Sequence, residues 1–122
     1  MKNILVVDDD PTIVTIIEEL LQMNGFKTIP AADAEDAEAA LKRSGVDLIL
    51  LDVMMPKSNG FEFCKKIKGL PDYQSIPIIF VTVMNKKEDI EKGKALGAAD
   101  FVTKPFDPSD LIARVKKNLN LN

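Results

Sequence analysis

The sequence predicts a doubly wound α/β domain: a five-stranded parallel sheet in the order 2-1-3-4-5 with helices on both faces. Three observations lead there. Five short apolar runs alternate with five longer segments of helical period, with no repeat, low-complexity tract or linker between them. The runs "VDLILL" (46–51) and "IPIIFV" (76–81) are almost continuously apolar, as parallel strands covered on both faces are. A length of 122 residues with 46% hydrophobic composition suits one core, so residues 1–122 are expected to form a single domain. Alternating strands and helices imply right-handed crossovers, which leaves few topologies open.

The first run, "NILVV" (3–7), is followed by Asp10, a suitable helix cap, and Pro11, which loses nothing at a first helical position where an N–H has no partner. Ile13, Ile16, Ile17, Leu20 and Leu21 then recur as one apolar stripe, and Gly25 is placed to end the helix. "FKTI" (26–29) is the second strand. Asp33 caps a second helix whose inward side is small, with Ala34, Ala37, Ala40 and Leu41, and Gly45 is expected to stop it. The third strand, 46–51, stops at Asp52. A loop, "VMMPKSNG", leads to a third helix near 60–69, and the fourth strand, 76–81, ends at Thr82. A fourth helix runs from about Glu88 to Leu96 with Gly97 beyond it. "DFV" (100–102) is the fifth strand, after which Asp107 and Pro108 repeat the cap-plus-proline start of a fifth helix.

Composition excludes several classes of function. Sixteen Lys and Arg against 19 Asp and Glu give a net charge of −3, so no broad nucleic-acid footprint and no attraction to anionic lipid is expected; the balance favours protein partners or small ions. No apolar run approaches the roughly 20 residues of a membrane span, and Met1 leads into a strand without a signal-peptide pattern, so a cytoplasmic location is expected. Cys64, the one cysteine, falls at helical spacing with Phe61 and Ile67 and is expected in the core. The absence of histidine removes Ser-His-Asp and Cys-His nucleophile systems and imidazole-based zinc sites. Metal chemistry here must use oxygen ligands.

The polar residues converge. In an open sheet of this order the chain leaves strands one and three in opposite directions, opening a crevice beyond their carboxyl ends. Those ends carry Asp8 and Asp9, and Asp52. Two unit charges about 4 Å apart repel by roughly 4 kcal/mol at an effective dielectric near 20, so the acids need a cation. Mg²⁺ fits, since it takes hard oxygen ligands and needs only a few carboxylates. Thr82 and Lys104 end strands four and five and border the same rim. Singly, each has an ordinary explanation: an acid after a strand is often a cap, as Asp10 is, and a loop lysine is usually solvated. Together, acid pair, acid, hydroxyl and ammonium suit phosphoryl transfer, with Asp52 as nucleophile, Lys104 and Thr82 on phosphoryl oxygens, and Thr82 mobile enough to act as a switch.

"ILVVDDDP", "DLILLDVMMPKSNGFEF", "PIIFVTV" and "GAADFVTKPF" resemble, in order and spacing, the receiver domain of two-component response regulators, a flavodoxin-like fold. The resemblance covers essentially the whole chain. It implies that Asp52 accepts a phosphoryl group from the phosphohistidine of a sensor histidine kinase or phosphotransfer protein. It implies Asp9 and Asp52 as direct Mg²⁺ ligands, Asp8 as a ligand through water, and the backbone carbonyl of Met54 as a further ligand. Thr82 and Lys104 match the phosphate-sensing pair, Phe101 the aromatic residue that turns inward on activation, and Pro105 a proline that is cis. The surface formed by helix four, strand five and helix five, on which the lysine-bearing "NKKEDIEKGK" (85–94) lies, is then expected to meet a downstream protein target. The chain would catalyse its own phosphorylation and dephosphorylation and nothing further.

Departures from the family pattern carry an expectation of their own. Val83 stands where a smaller residue is common, and Met54 and Met84 flank the site where polar side chains are common, so slow self-dephosphorylation is expected. Three other functions compete. A flavodoxin-like redox module would need a Ser/Thr/Gly-rich phosphate loop after strand one, where three aspartates would repel the ligand. A Mg²⁺-dependent phosphohydrolase with an aspartyl nucleophile usually carries a second Asp two residues on, where Met54 stands. An unphosphorylated binding adaptor would have no use for the complete acid set with Thr82 and Lys104.

Overall fold

The apolar runs and capping residues fold as their chemistry dictates. The structure, a computed structural model, describes residues 1–121. The strands are β1 (Asn3–Val7), β2 (Lys27–Ala31), β3 (Leu48–Leu51), β4 (Ile78–Thr82) and β5 (Asp100–Thr103). Between and after them come α1 (Pro11–Met23), α2 (Ala34–Arg43), α3 (Gly60–Lys68), α4 (Lys87–Ala95) and α5 (Pro108–Asn118). All strand pairs are parallel and the order is β2-β1-β3-β4-β5, as expected. Pro30 lies in β2, an edge strand, where a missing ladder N–H is tolerated.

The starts of α1, α2, α3 and α5 are fixed by side-chain caps. Asp10 accepts from the Thr12 N–H at 3.0 Å, Asp33 from Asp36 at 2.8 Å, Asn59 from Phe61 at 2.7 Å and Asp107 from Ser109 at 3.0 Å. Each satisfies an amide that the first turn leaves without a partner. Gly25 has φ +87° and Gly97 φ +97°, the left-handed geometry that ends a helix without a Cβ penalty. Gly45 does not play that part: α2 ends at Ser44, in extended backbone, and the positive-φ glycines are Gly25 and Gly97.

Alternation along each strand sends side chains to two cores. Leu5, Val7, Ile49, Leu51, Ile78 and Phe80 face α2, α3 and the underside of α4, joined by Ala37, Ala40, Leu41, Phe61, Cys64 and Ile67. Ile4, Val6, Leu48, Leu50, Ile79 and Val81 face α1 and α5, joined by Val14, Ile17, Leu21, Leu111 and Val115. Every residue of β3 and β4 is buried, and each fully buried Leu or Ile side chain contributes about 1.5–3 kcal/mol to folding. The α1 stripe differs from expectation in one member: Ile16 is 48% exposed and Val14 is buried in its place. Positions 14, 17 and 21 repeat the spacing of 13, 16 and 20 one residue further along, and it is the former set that the sheet buries.

Strand limits shift by one or two residues, β2 extending to Ala31 and β3 starting at Leu48 rather than 46, with α4 one residue earlier at each end. The Lys104–Pro105 bond is cis, as expected. No helix among the described residues is long and apolar enough to cross a membrane. Cys64 is fully buried, and burial pushes its thiol above the ordinary value, with Lys68 pulling weakly the other way. Less thiolate at a given pH means less nucleophile. The folded protein is expected to react with a disulfide reagent at neutral pH only at the rate of its unfolding, whereas in urea Cys64 reacts at once. Thiol titration with and without denaturant checks this.

Candidate functional site

The site is built where β1 and β3 run side by side. Val7 pairs with Leu51, so the residues that follow, Asp8 and Asp52, emerge together at the carboxyl edge. Two backbone bonds fix the exits: the Asp52 N–H donates to Val7 O at 3.0 Å, and the Asp8 N–H to Ala31 O at 3.1 Å. Both carboxylates are buried, at 4% and 7% exposure, while Asp9 is exposed. Asp8, Asp9 and Asp52 each offer a carboxylate oxygen, and those oxygens lie within 4.8 Å of one another. Among the described residues no other group of three such side chains meets that condition.

Lys104 answers the crowding of charge. Its Nζ lies 2.6 Å from Asp8 Oδ2 and 3.3 Å from Asp52 Oδ2. Burial pushes the ammonium down, but the hydrogen bond to Asp8 and the charge of Asp52 more than offset that, so its pKa lies above the ordinary lysine value. The other oxygens are also held: Asp8 Oδ1 accepts from the Asp10 N–H at 3.0 Å, and Asp52 Oδ1 from the Met54 N–H at 3.2 Å. All four carboxylate oxygens therefore have a donor, which buried charges require.

Thr82, at the end of β4, is fully buried, and its hydroxyl accepts weakly from the Met84 N–H at 3.4 Å. Its carbonyl accepts from the Lys104 N–H at 2.8 Å, so the threonine and lysine are joined through backbone. Phe101 sits apart from the acids, paired with Phe80 across β4 and β5, half-buried, with ring centroids 5.8 Å apart. Met54 and Met84 line an open depression of about 710 Å³ together with Asp9, Met55, Ser58 and Glu62. Val83 does not line it and is 57% exposed. The flank of the depression is thus set by the methionines rather than by the branched residue.

The response regulator receiver domain matches residues 4–116. The chain belongs to that family. The transcriptional regulatory protein YvrH of Bacillus subtilis is 43% identical over 118 residues, which is 96% of this chain and 48% of that protein. The phosphate regulon transcriptional regulatory protein PhoB of Escherichia coli K12 is 38% identical over 115 residues, 94% of this chain and 50% of that one. The chain spans about half the length of these curated relatives. Among solved structures, the chemotaxis response regulator CheY4 of Vibrio cholerae is 34% identical, with a TM-score of 0.91 over 98% of this chain and 99% of its own.

Two residues that shape this receiver domain escape a reading of the sequence. Gly60 opens α3 against the chain leaving β3: a Cβ there would fall on the Asp52 carbonyl oxygen and 2.8 Å from Val53 Cα. The Gly60 N–H also donates to Val53 O at 2.9 Å, and Met54 bridges Asn59. The loop is thereby folded tightly back on the acid-bearing strand. The loop "VMMPKSNG" is expected from the sequence, yet nothing in one chain says which backbone its glycine must approach. Arg114 of α5 pairs with Asp100 at 2.5 Å and Asp110 at 3.0 Å, tying α5 to the start of β5.

Gly60→Ala is expected to cost about 3 kcal/mol of stability, at the upper end for overpacking, because backbone rather than a flexible side chain must give way. Urea unfolding measures it. A loss below roughly 0.5 kcal/mol would contradict the close approach.

Proposed function

We propose that this receiver domain is a phosphorylation-dependent switch in which Asp52 takes a phosphoryl group from the phosphohistidine of a partner kinase or phosphotransfer protein. The observation that carries the reading is the Lys104 ammonium held between two buried carboxylates at the mouth of the sheet. Lys104 is a cation already in place, beside the side chain that would acquire negative charge. The chain has no histidine, in keeping with a donor imidazole that belongs to another protein.

The donor set fits Mg²⁺. Asp8, Asp9 and Asp52 present oxygen ligands only, two of them buried, and the Met54 carbonyl would add a fourth. Bound there, Mg²⁺ supplies neutralisation of charge on an incoming phosphoryl group. The rest falls to the chain. The Asp52 carboxylate attacks phosphorus; an O–P bond forms as the donor's N–P bond breaks, and the departing imidazole takes up a proton. Lys104 then exchanges a carboxylate for a phosphoryl oxygen, and the Thr82 hydroxyl, now only weakly engaged, donates to another. Phe101, half-buried beside Phe80 from the start, turns further inward, and the face of α4, β5 and α5 carries the change to a downstream protein target. On this reading the domain works in the cytoplasm. Relatives of twice its length are named transcriptional regulators, so the acidic balance of these 122 residues speaks for the receiver domain alone.

With acetyl phosphate and Mg²⁺, intact mass is expected to rise by one phosphoryl group in the wild type and not in Asp52→Asn. A gain that survives in the Asn variant would place the acceptor elsewhere. Lys104→Ala is expected to bind Mg²⁺ more tightly, by roughly tenfold or about 1.4 kcal/mol, because the ammonium no longer competes for the acids. The same variant should leave the Phe101 signals unmoved when beryllofluoride is added, as heteronuclear spectra would read.

The aspartyl phosphate is expected to be long-lived. Met54 and Met84 carry no group able to orient an attacking water. Decay followed by mass should be slow in the wild type, and about tenfold or more faster in Met84→Glu. Loss within seconds, or no effect of the glutamate, would count against this.

A further inference from the structure

Among the helices α4 is the least anchored. Gly93 is its one buried residue among those described, and its N-cap, Lys86, offers no side-chain bond to the first turn. The underside of α4 rests instead on rings. Phe61 of α3 packs edge-on against Phe80 of β4 with centroids 5.2 Å apart, and Phe80 lies 5.8 Å from Phe101 of β5. Lys92 Nζ sits 4.8 Å above the Phe61 ring, a cation–π contact. A Cβ at Gly93 would stand 3.2 Å from Phe101 Cδ2 and 3.3 Å from Phe80 Cδ2, tighter than side chains ordinarily tolerate.

A glycine in the middle of a helix is a poor helix former compared with alanine. Gly93 has no positive φ, so backbone freedom does not account for it. Space does: the missing side chain lets two rings reach the helix backbone. The row of rings also begins at the acid site, since Phe61 follows Gly60, the residue seated on the Asp52 carbonyl, and its N–H is held by Asn59.

We infer that Gly93 is a positioning residue of the switch, the notch in α4 whose shape ties the seat of that helix to the Phe61–Phe80–Phe101 row and so to the ring that responds to Asp52. This rests on the proposed role of Phe101 and goes beyond it: α4 reads the row through a missing side chain, from the α3 side as well as from Thr82. A methyl at position 93 penalises the Phe101 ring position found in this structure. By linkage, any state in which Phe101 leaves that position gains in proportion.

The test is a titration with beryllofluoride in Mg²⁺, followed through Phe101 ring signals and α4 amide signals. In Gly93→Ala the midpoint is expected to fall by about threefold or more, with α4 amides displaced before any beryllofluoride is added. In the Phe101→Leu background, where the smaller side chain leaves room, the same alanine should leave the midpoint where Phe101→Leu alone puts it. A shift that persists there would trace to helix propensity and overturn the inference, as would an unchanged or raised midpoint in Gly93→Ala. Should Gly93→Ala unfold the domain while the double variant folds, the ring contact stands, and Phe61→Leu replaces it: displaced α4 amides support the row, unmoved ones overturn it. A wild type with no response at Phe101 brings down the proposed switch itself, whereas a responding wild type with an indifferent Gly93→Ala brings down only the notch.

Discussion

Crowding of negative charge at one edge of the sheet is the constraint on which the rest depends. Parallel pairing of β1 with β3 puts Val7 beside Leu51 and therefore brings two buried carboxylates out together. Their repulsion, of the order of 4 kcal/mol at about 4 Å and an effective dielectric near 20, has to be met inside the protein because little water reaches them. Lys104 meets it from across the sheet, 96 residues along the chain from Asp8. That reach explains why β5 must close the edge beyond β4: the Lys104 N–H bonded to Thr82 O is what aims the side chain back over two strands.

Such an arrangement is a poor way to gain stability. A buried ion pair recovers little more than the cost of removing both partners from water, and apolar residues of similar volume often do as well or better. Stability lies elsewhere, in β3 and β4, buried along their whole length, and in the two layers that α1 with α5 and α2 with α3 complete. A rigid apolar sheet thus holds a costly polar cluster at its rim, and residues that move are expected around the least packed element, α4, rather than in the sheet.

Much of this was legible in the sequence, for identifiable reasons. Strand runs, proline-marked helix starts and the strand order follow from local composition and from the handedness of crossovers, and the acids at strand ends follow from the order. Local signals failed where the answer depended on a neighbour. Ile13, Ile16 and Leu20 form as good a stripe as Val14, Ile17 and Leu21 until the sheet selects one. Gly45 reads like a helix stop although Ser44 turns the chain in ordinary extended backbone. Gly60 and Gly93 look alike in sequence to glycines of convenience, and only the Asp52 carbonyl and the Phe101 ring reveal that each is a space requirement.

The paired lysine also bears on how a signal could leave the site. A solvated ammonium would change partners without moving anything, since water would fill its place. Lys104 is mostly enclosed, and its backbone is bonded to Thr82, whose strand carries Phe80 two residues earlier. On the proposed reading, a phosphoryl group on Asp52 draws the ammonium and the Thr82 hydroxyl toward one point, and both pulls act on neighbouring strand ends. Those ends lead to the same pair of rings that α4 straddles at Gly93. A well-packed interior resists gradual deformation, so the response is expected as a change between two ring positions rather than a drift. The helix with the fewest buried residues is then the one placed to register it, and its exposed lysines are what a partner would meet.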